Sequence, residues 1–441
     1  MRKILSFALI VAAGAAGAAS PAVTLDASLR TRLDALSVGA DIVIDGFPDG
    51  YGGQTALRFK RIEVYAPGAR IVVVDEHGEH ELPRSRRVEL IGASASGEVR
   101  ASLAFDPQVE NLSGVGSSPT GSFAISTSTE SGATKIHSLP MEQTLPAGVT
   151  PRIEGGNDAL PSGRAPPDTM AIALAGLVPS GTLRGATIAV DTDNEFMSER
   201  FSNNTTAATN WIADLFGAMN VMYQRDLNVT LQQGTTFLRT TADPYTQTTT
   251  SSQLTEFGNY WQAHYAAVPR AFAALLSGKA ASGNSASGIA WINAYCETQS
   301  QGGGYSVTQT FTNPQVNVSF SALIIGHELG HNFGAYHTHC TNAGNGSAPT
   351  GSNTIDKCRS GESVGSTSCY VGTESCPASG PGAPAGTIMS YCNQIGCGSG
   401  GQNVLQFHPA QINVLNALIA QNTPSCLSPN GGDVIFRNGF D

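Results

Sequence analysis

The sequence predicts an α/β (α+β) chain, with a mixed, twisted sheet and helices in its C-terminal half and a small β-rich region before it. Three observations carry that prediction. Period-two apolar stretches such as Ala40-Asp-Ile-Val-Ile and Arg70-Ile-Val-Val-Val-Asp read as strands near the N-terminus. Beyond Gly185, short apolar runs alternate with longer stretches of helical spacing. Between the two, from Asn111 to about Asp168, the composition shifts to Ser, Gly, Thr and Pro and reads as a linker.

Taken in order, residues 1–18 read as a secretory signal: basic Arg2-Lys3, an apolar run from Ile4 to Ala13, and a small-residue cleavage site at Ala16-Gly-Ala18. That run is too short for a membrane span, and no other stretch approaches about 18 apolar residues. The β-rich region is expected over 19–110 and the Ser/Gly/Pro-rich linker over 111–184. Ala186-Thr-Ile-Ala-Val-Asp191 is fit for a buried strand. Thr206 to Leu227 follows, with Ile212, Leu215, Phe216, Met219, Met222 and Tyr223 spaced for one helix face. Val229-Thr-Leu and Thr236-Phe-Leu read as strands, Leu254 to Leu276 as a helix and Gly288 to Cys296 as a strand. Phe320 to Gly326 is apolar and would bury a helix against a core. Pro409 to Gln421 reads as a last helix, with Ile412, Leu415, Leu418 and Ile419 on one face and Pro409 in the tolerant first turn. The principal domain is placed at 185–427 and a tail at 428–441. The tail's Asp433-Val-Ile-Phe-Arg-Asn-Gly-Phe-Asp441 is similar to tails on exported bacterial proteins.

The net charge is −10, and from Gly185 onward 8 Lys and Arg face 15 Asp and Glu with no basic cluster. Nucleic acid is therefore a poor partner. All eight cysteines lie between Cys296 and Cys426. An even set confined to one region of an exported chain predicts four disulfides. No C-x2-C pair exists to suggest cysteine-ligated zinc, and pattern alone leaves the connectivity open.

One stretch carries chemistry: His327-Glu-Leu-Gly-His-Asn-Phe-Gly-Ala-Tyr-His337. On a helix, His327 and His331 lie one turn apart on one face and can reach one ion. Glu328 points to where a water would occupy an open position. Gly334 can end the helix in left-handed geometry, so that the chain returns His337 to the same ion. Three imidazoles with an open fourth position describe a catalytic zinc site, whereas a structural site would be closed.

The HExxHxxGxxH spacing resembles the zinc signature of the metzincin clan of metalloendopeptidases. The resemblance implies Zn2+ on His327, His331 and His337, with Glu328 as general base on protein or peptide substrates. It also implies a Met-turn in Gly386-Thr-Ile-Met-Ser-Tyr-Cys392, with Met389 beneath the histidines. The order of elements and the cysteine pattern resemble the reprolysin (adamalysin-like) branch. That branch implies Cys296 paired with Cys426, and Cys369 with Cys376 is a further local candidate. Two departures stand out. Thr338 replaces the aspartate usual after the third histidine, and Tyr391 stands where astacins and serralysins place an oxyanion-stabilising tyrosine. Ca2+ is possible in this branch, with Glu195 its candidate.

Other groups are set lower. His339 is expected in a supporting or surface position, His408 as a cap, and Glu362 and Glu374 are poor candidates for a downstream glutamate ligand. The expectation is a secreted, monomeric zinc endopeptidase, with the region before it as an inhibitory propeptide released near Arg164 or Arg184. No cysteine precedes Cys296, which excludes latency by a cysteine ligand. The competing expectation is a secreted binding or adhesion module on the same fold; such relatives lose the glutamate or a histidine, and this chain keeps both.

Overall fold

In the computed structural model, two sheets enclose a layer of helices. The described residues are 21–154, 183–348, 353–364, 367–377, 386–397 and 403–429. The expected signal at 1–18, Arg164 and residues 430–441 of the tail lie outside them. The N-terminal part runs β1 (Ala22–Thr24), α1 (Ala27–Asp34), β2 (Asp41–Pro48), β3 (Gln54–Arg61), β4 (Ile71–Asp75), β5 (Gly78–Leu82) and β6 (Val88–Ala93). It continues through β7 (Arg100–Asp106), β8 (Asn111–Ser118), β9 (Gly121–Glu130), β10 (Ala133–Pro140) and β11 (Arg152–Glu154). Eight of these strands form an antiparallel sheet in the order β1-β10-β9-β8-β7-β6-β3-β2. Its own core joins Leu29 and Leu33 of α1 to Leu57, Phe59, Leu103, Phe105 and Phe123.

The segment 111–140, expected as linker, is thus three strands. Its Ser, Thr and Gly residues separate a sparse set of apolar side chains, Leu112, Val115, Phe123, Ile125 and Ile136, each buried on the pleat. A pleated surface needs only alternate positions to be apolar, so a polar composition did not preclude strands.

The second sheet adds β12 (Arg184–Thr192), β13 (Val229–Arg239), β14 (Phe272–Ser277), β15 (Ser285–Ala290) and β16 (Tyr305–Gln309). Its order is β11-β15-β16-β14-β12-β13-β4-β5, so strands from the N-terminal part flank both sides of the later ones. β15 runs antiparallel to β16, while β11 pairs parallel to β15 through Arg152–Ser285, Ile153–Ala286 and Glu154–Ser287. Two expected elements change. The apolar stretch Leu254–Leu276 is helix α3 (Thr250–His264) followed by strand β14, since Pro269 cannot continue a helix. β15 stops at Ala290, and the chain then turns through left-handed Asn293 (φ 56°) and Cys296 (φ 52°).

The remaining helices are α2 (Thr205–Leu227), α4 (Val318–Asn332) and α5 (Pro409–Gln421). Alternation along the strands divides two cores. Ile188, Val190, Leu238 and Leu276 face α2, α4 and α5, whereas Ala189, Phe237 and Leu275 face Leu254, Phe257 and Trp261 of α3. Helix α2 lies between the two sheets, and its two sides differ. Ile212, Leu215, Phe216, Met219, Met222 and Tyr223 join the large core. Toward the first sheet, polar contacts accompany apolar ones: Asn210 meets Ser85 at 2.7 Å, Arg225 meets Ser117 at 3.1 Å, and Gly217 lies against the Glu89 carboxyl, while Val115 of β8 and Ala124 of β9 join the large core.

Candidate metal centre

The centre is built on α4. Its first turn is capped by Asn317, whose side-chain oxygen accepts from Ser319 N at 3.1 Å. Every residue from Ser319 to Asn332 is buried. Two glycines allow neighbours to approach closely. A Cβ on Gly326 would stand 2.3 Å from Met222 Cε of α2, and one on Gly330 would stand 2.7 Å from Met389 Sδ. The helix ends at Gly334 (φ 109°) with the paired bonds of a Schellman motif, Ala335 N to Gly330 O at 2.9 Å and Gly334 N to His331 O at 2.8 Å. That turn carries the Ala335 carbonyl back to His331 Nδ1, 2.8 Å away.

The turn 387–390 supplies the next support. Ser390 N donates to Thr387 O at 3.0 Å, which places the Ile388 carbonyl 2.7 Å from His327 Nδ1 and buries Met389 against α4. Thr338, the expected misfit, binds this turn. Its N–H donates to Met389 O at 3.0 Å and its hydroxyl to Ser390 Oγ at 3.0 Å. A neutral threonine therefore links the helix exit to the turn, with no need of a carboxylate.

His337 completes the set. Its Nδ1 lies 2.9 Å from Glu362 Oε2, so all three imidazoles have Nδ1 engaged by an oxygen acceptor. Neutral rings in that state carry their proton on Nδ1 and turn a lone pair outward from Nε2. Those Nε2 atoms converge: His331 lies 3.0 Å from His327 and 3.1 Å from His337. Three lone pairs meeting without a proton repel one another unless a cation stands among them. Nitrogen ligands about 2.0–2.1 Å from a tetrahedral ion lie about 3.3 Å apart, close to the spacing here. The donor set therefore fits one small metal ion held by His327, His331 and His337.

Glu328 is buried beside them, and β15 makes room for it. A Cβ on Gly288 would fall 2.1 Å from Glu328 Oε1. Tyr391 is also brought to the centre, its ring 4.3 Å from that of His337 and 6.1 Å from that of His327. His408 caps α5, accepting from Ala410 N at 3.2 Å. The Glu195 carboxylate holds the Lys279 ammonium at 2.6 Å. Glu374 is exposed, accepting from Ser360 N.

Sequence reasoning missed the roles of two residues here. Glu362 accepts from His337 Nδ1 and also from His339 Nε2 at 2.9 Å, so it stands behind the imidazoles instead of among the ligand atoms. Burial pushes its carboxyl up, but the hydrogen bonds from the two histidines outweigh this and hold it well below the usual carboxylate range. Burial likewise lowers His339, which is sealed beneath His337 with the rings 5.3 Å apart. Gly288 was read only as the start of a strand. The glycine in an otherwise apolar run was the available signal for a close approach.

Disulfides fasten the surrounding loops. Cys296 is bonded to Cys426, Cys340 to Cys369, Cys358 to Cys392 and Cys376 to Cys397. The local pair Cys369–Cys376 does not form, because Cys369 reaches back to the residue after His339 while Cys376 reaches forward to the loop after Tyr391. The last three of these bonds join the described segment ending at 348 and the segments 353–364, 367–377 and 386–397 to one another around the centre.

The Reprolysin_5 model, metallo-peptidase family M12, matches residues 182–407. No curated protein matches the chain. Among solved structures, metalloproteinase-II from Bacteroides fragilis is similar at a TM-score of 0.37 and 10% identity, over 70% of this chain and 85% of that one. A chaperone–substrate complex overlaps at 0.32 and 13%, over 55% and 34%. Overlaps this loose leave the assignment to the family match, which spans just over half of the 441 residues and encloses the histidine cluster. By that match, around three imidazoles disposed for one metal ion, the chain belongs to metallo-peptidase family M12, as a reprolysin-like metzincin.

Proposed function

We propose that the chain is a secreted zinc-dependent endopeptidase with Glu328 as general base, made with an N-terminal propeptide that covers its site. The observation that carries the catalytic part is the convergence of three Nε2 atoms, that of His331 lying 3.0 Å from His327 and 3.1 Å from His337, with the buried Glu328 next to His327 in the chain. His327, His331 and His337 would hold the zinc, which when bound would supply a Lewis acid for the scissile carbonyl and would lower the pKa of a bound water to about 7. Glu328 accepts the proton of the attacking water, and the same carboxyl then returns it to the leaving amine. Gly288 leaves Glu328 the space to do this, while its strand wall keeps the carboxylate from swinging away. Tyr391, beside His337, is placed to donate to the oxygen that becomes negative as the carbonyl is attacked. The Met-turn supports His327 through the Ile388 carbonyl, with Met389 packed against Gly330 of α4.

The propeptide reading is supported by β11, which lies along the outer edge of β15 and also packs against 392–395, the segment that follows Tyr391. An extended peptide using that edge would have to displace it. Part of the contact between the first sheet and α2 is polar, through Asn210, Asp214 and Arg225, and that part costs little to expose when a unit departs. The signal at 1–18 and four disulfides support export.

The test is hydrolysis of casein by the processed protein, with and without a chelator, beside Glu328→Gln. Activity is expected to vanish on metal removal and return with zinc. The variant is expected to keep its zinc and lose at least about 10³-fold in kcat. Near-normal turnover by Glu328→Gln, or activity indifferent to chelation, rejects the reading.

A further inference from the structure

Two imidazoles of the centre are held by backbone: His327 by the Ile388 carbonyl and His331 by Ala335. Both carbonyls belong to elements formed close by, the helix exit and the turn above Met389. His337 is held differently, by a side-chain carboxylate from residues 353–364, a stretch with little regular structure. We infer that Glu362 is a positioning residue, which fixes the orientation and tautomer of His337 and so sets the affinity of the centre for its metal. This rests on the three histidines being the ligands.

The geometry of one oxygen makes the case. Glu362 Oε2 accepts from His337 Nδ1 and from His339 Nε2, each at 2.9 Å, and is only part-exposed, while Oε1 faces Arg359 Nε at 3.7 Å. A carboxylate accepting from Nδ1 leaves the lone pair on Nε2 and makes that nitrogen a stronger donor to a cation, as a neutral carbonyl does less well. His339 keeps the carboxylate from rotating toward water. It is fully buried, lies nearly parallel to His337 (13° between the rings), and offers its N–H to the same oxygen. The intervening Thr338 points the other way, into the 387–390 turn. The His337-Thr-His339 alternation thus has a use: one imidazole for the metal, one for the carboxylate behind it. The Cys340–Cys369 bond clamps the loop bearing Glu362 to the same place.

The experiment uses the full processed protein and zinc itself. Zinc affinity of wild type, Glu362→Gln and His339→Gln is measured by competition with a chromogenic chelator, together with the melting temperature of each metal-free form. Glu362→Gln is expected to bind zinc about 10–100-fold more weakly. His339→Gln should show a smaller loss in the same direction. Metal-free melting temperatures should stay close to wild type, which a merely structural role would not allow. Cobalt(II) substitution gives a second readout, because all eight cysteines are disulfide-bonded and the visible spectrum then reports the imidazoles; Glu362→Gln is expected to shift it. Unchanged zinc affinity and cobalt spectrum in a folded Glu362→Gln protein overturn the inference alone. Should Glu362→Gln fail to fold, an unchanged affinity in His339→Gln overturns it. Failure of the wild type to bind zinc overturns both this inference and the function on which it rests.

Discussion

The histidine cluster at the end of α4 and the carboxyl cluster beneath α2 are both sealed from water, and each is completed by a different particle. In the first, three Nδ1 atoms are engaged and three Nε2 lone pairs point at one another, an arrangement a cation resolves. In the second, burial raises the carboxyls of Glu89 on β6 and Asp214 on α2, so that each favours its protonated form. A third buried group shows what completion by the fold alone looks like. Asp191 accepts from Arg239 at 2.8 and 2.9 Å, Tyr245 at 2.6 Å and Trp261 at 2.9 Å, and needs nothing from solution. Satisfaction by protein groups therefore marks the permanent core, on the α3 side of the second sheet. Dependence on a metal or a proton marks the places where the chain answers to its surroundings.

Removing the metal should break the comparison most strongly. An ion present at about 1,000 times its dissociation constant stabilises the folded chain by about 4 kcal/mol. For a domain of this size, that corresponds to about 8–16 °C in melting temperature. Calorimetry with and without excess chelator is expected to show this drop in both wild type and Glu89→Gln, since the carboxyl cluster takes no part in it. Identical melting curves with and without chelator would mean that the fold completes the histidine cluster unaided.

The next effect separates the three histidines from Glu328. In Gly288→Ala the added Cβ would overlap Glu328 Oε1, so the carboxylate must move while the three histidines stay. A displacement of about 1 Å costs on the order of 10²-fold in turnover. Measured kcat should fall by that factor with one zinc still bound per chain. Full turnover in the variant would show that the strand wall does not fix Glu328.

How much of this was legible follows the same division. The spacing from His327 to His337 brings the three imidazoles together because a helix turn and a left-handed glycine are local, and Pro409–Gln421 is found at its expected limits for the same reason. Glu362 was not legible, because it reaches His337 across 25 residues through a loop whose path depends on the Cys340–Cys369 bond. The strands at 111–140 were obscured because a polar composition hid a sparse period of two. Glu89 looked like an ordinary strand charge; only its pairing with a helix more than a hundred residues away makes it unusual.

That pairing gives the smallest expected effect and the sharpest sign. Burial raises the Asp214 carboxyl to about 6 against the pull of Arg87, and burial and the neighbouring Asp214 raise Glu89 well above its ordinary range. The charged groups around them are Arg87, which pairs with Asp214, and Asp106 of β7, 3.5 Å from Arg87 Nε. Unfolded carboxyls ionise near pH 4, whereas the folded pair keeps its proton longer. Stability is therefore fullest below about pH 4 and falls as pH rises toward 6 and beyond, by on the order of 2 kcal/mol. Glu89→Gln removes one of the two buried ionisable carboxyls and leaves an uncharged amide beside Asp214. The full chain carrying it is expected to match wild type near pH 4 and to be more stable by about 1–2 kcal/mol at pH 7.5, read from melting at both pH values. An equal shift at both pH values would mean that Glu89 and Asp214 hold no extra proton in the folded chain. If the difference appears only at the higher pH, the contact between the first sheet and α2 weakens as the surroundings lose protons.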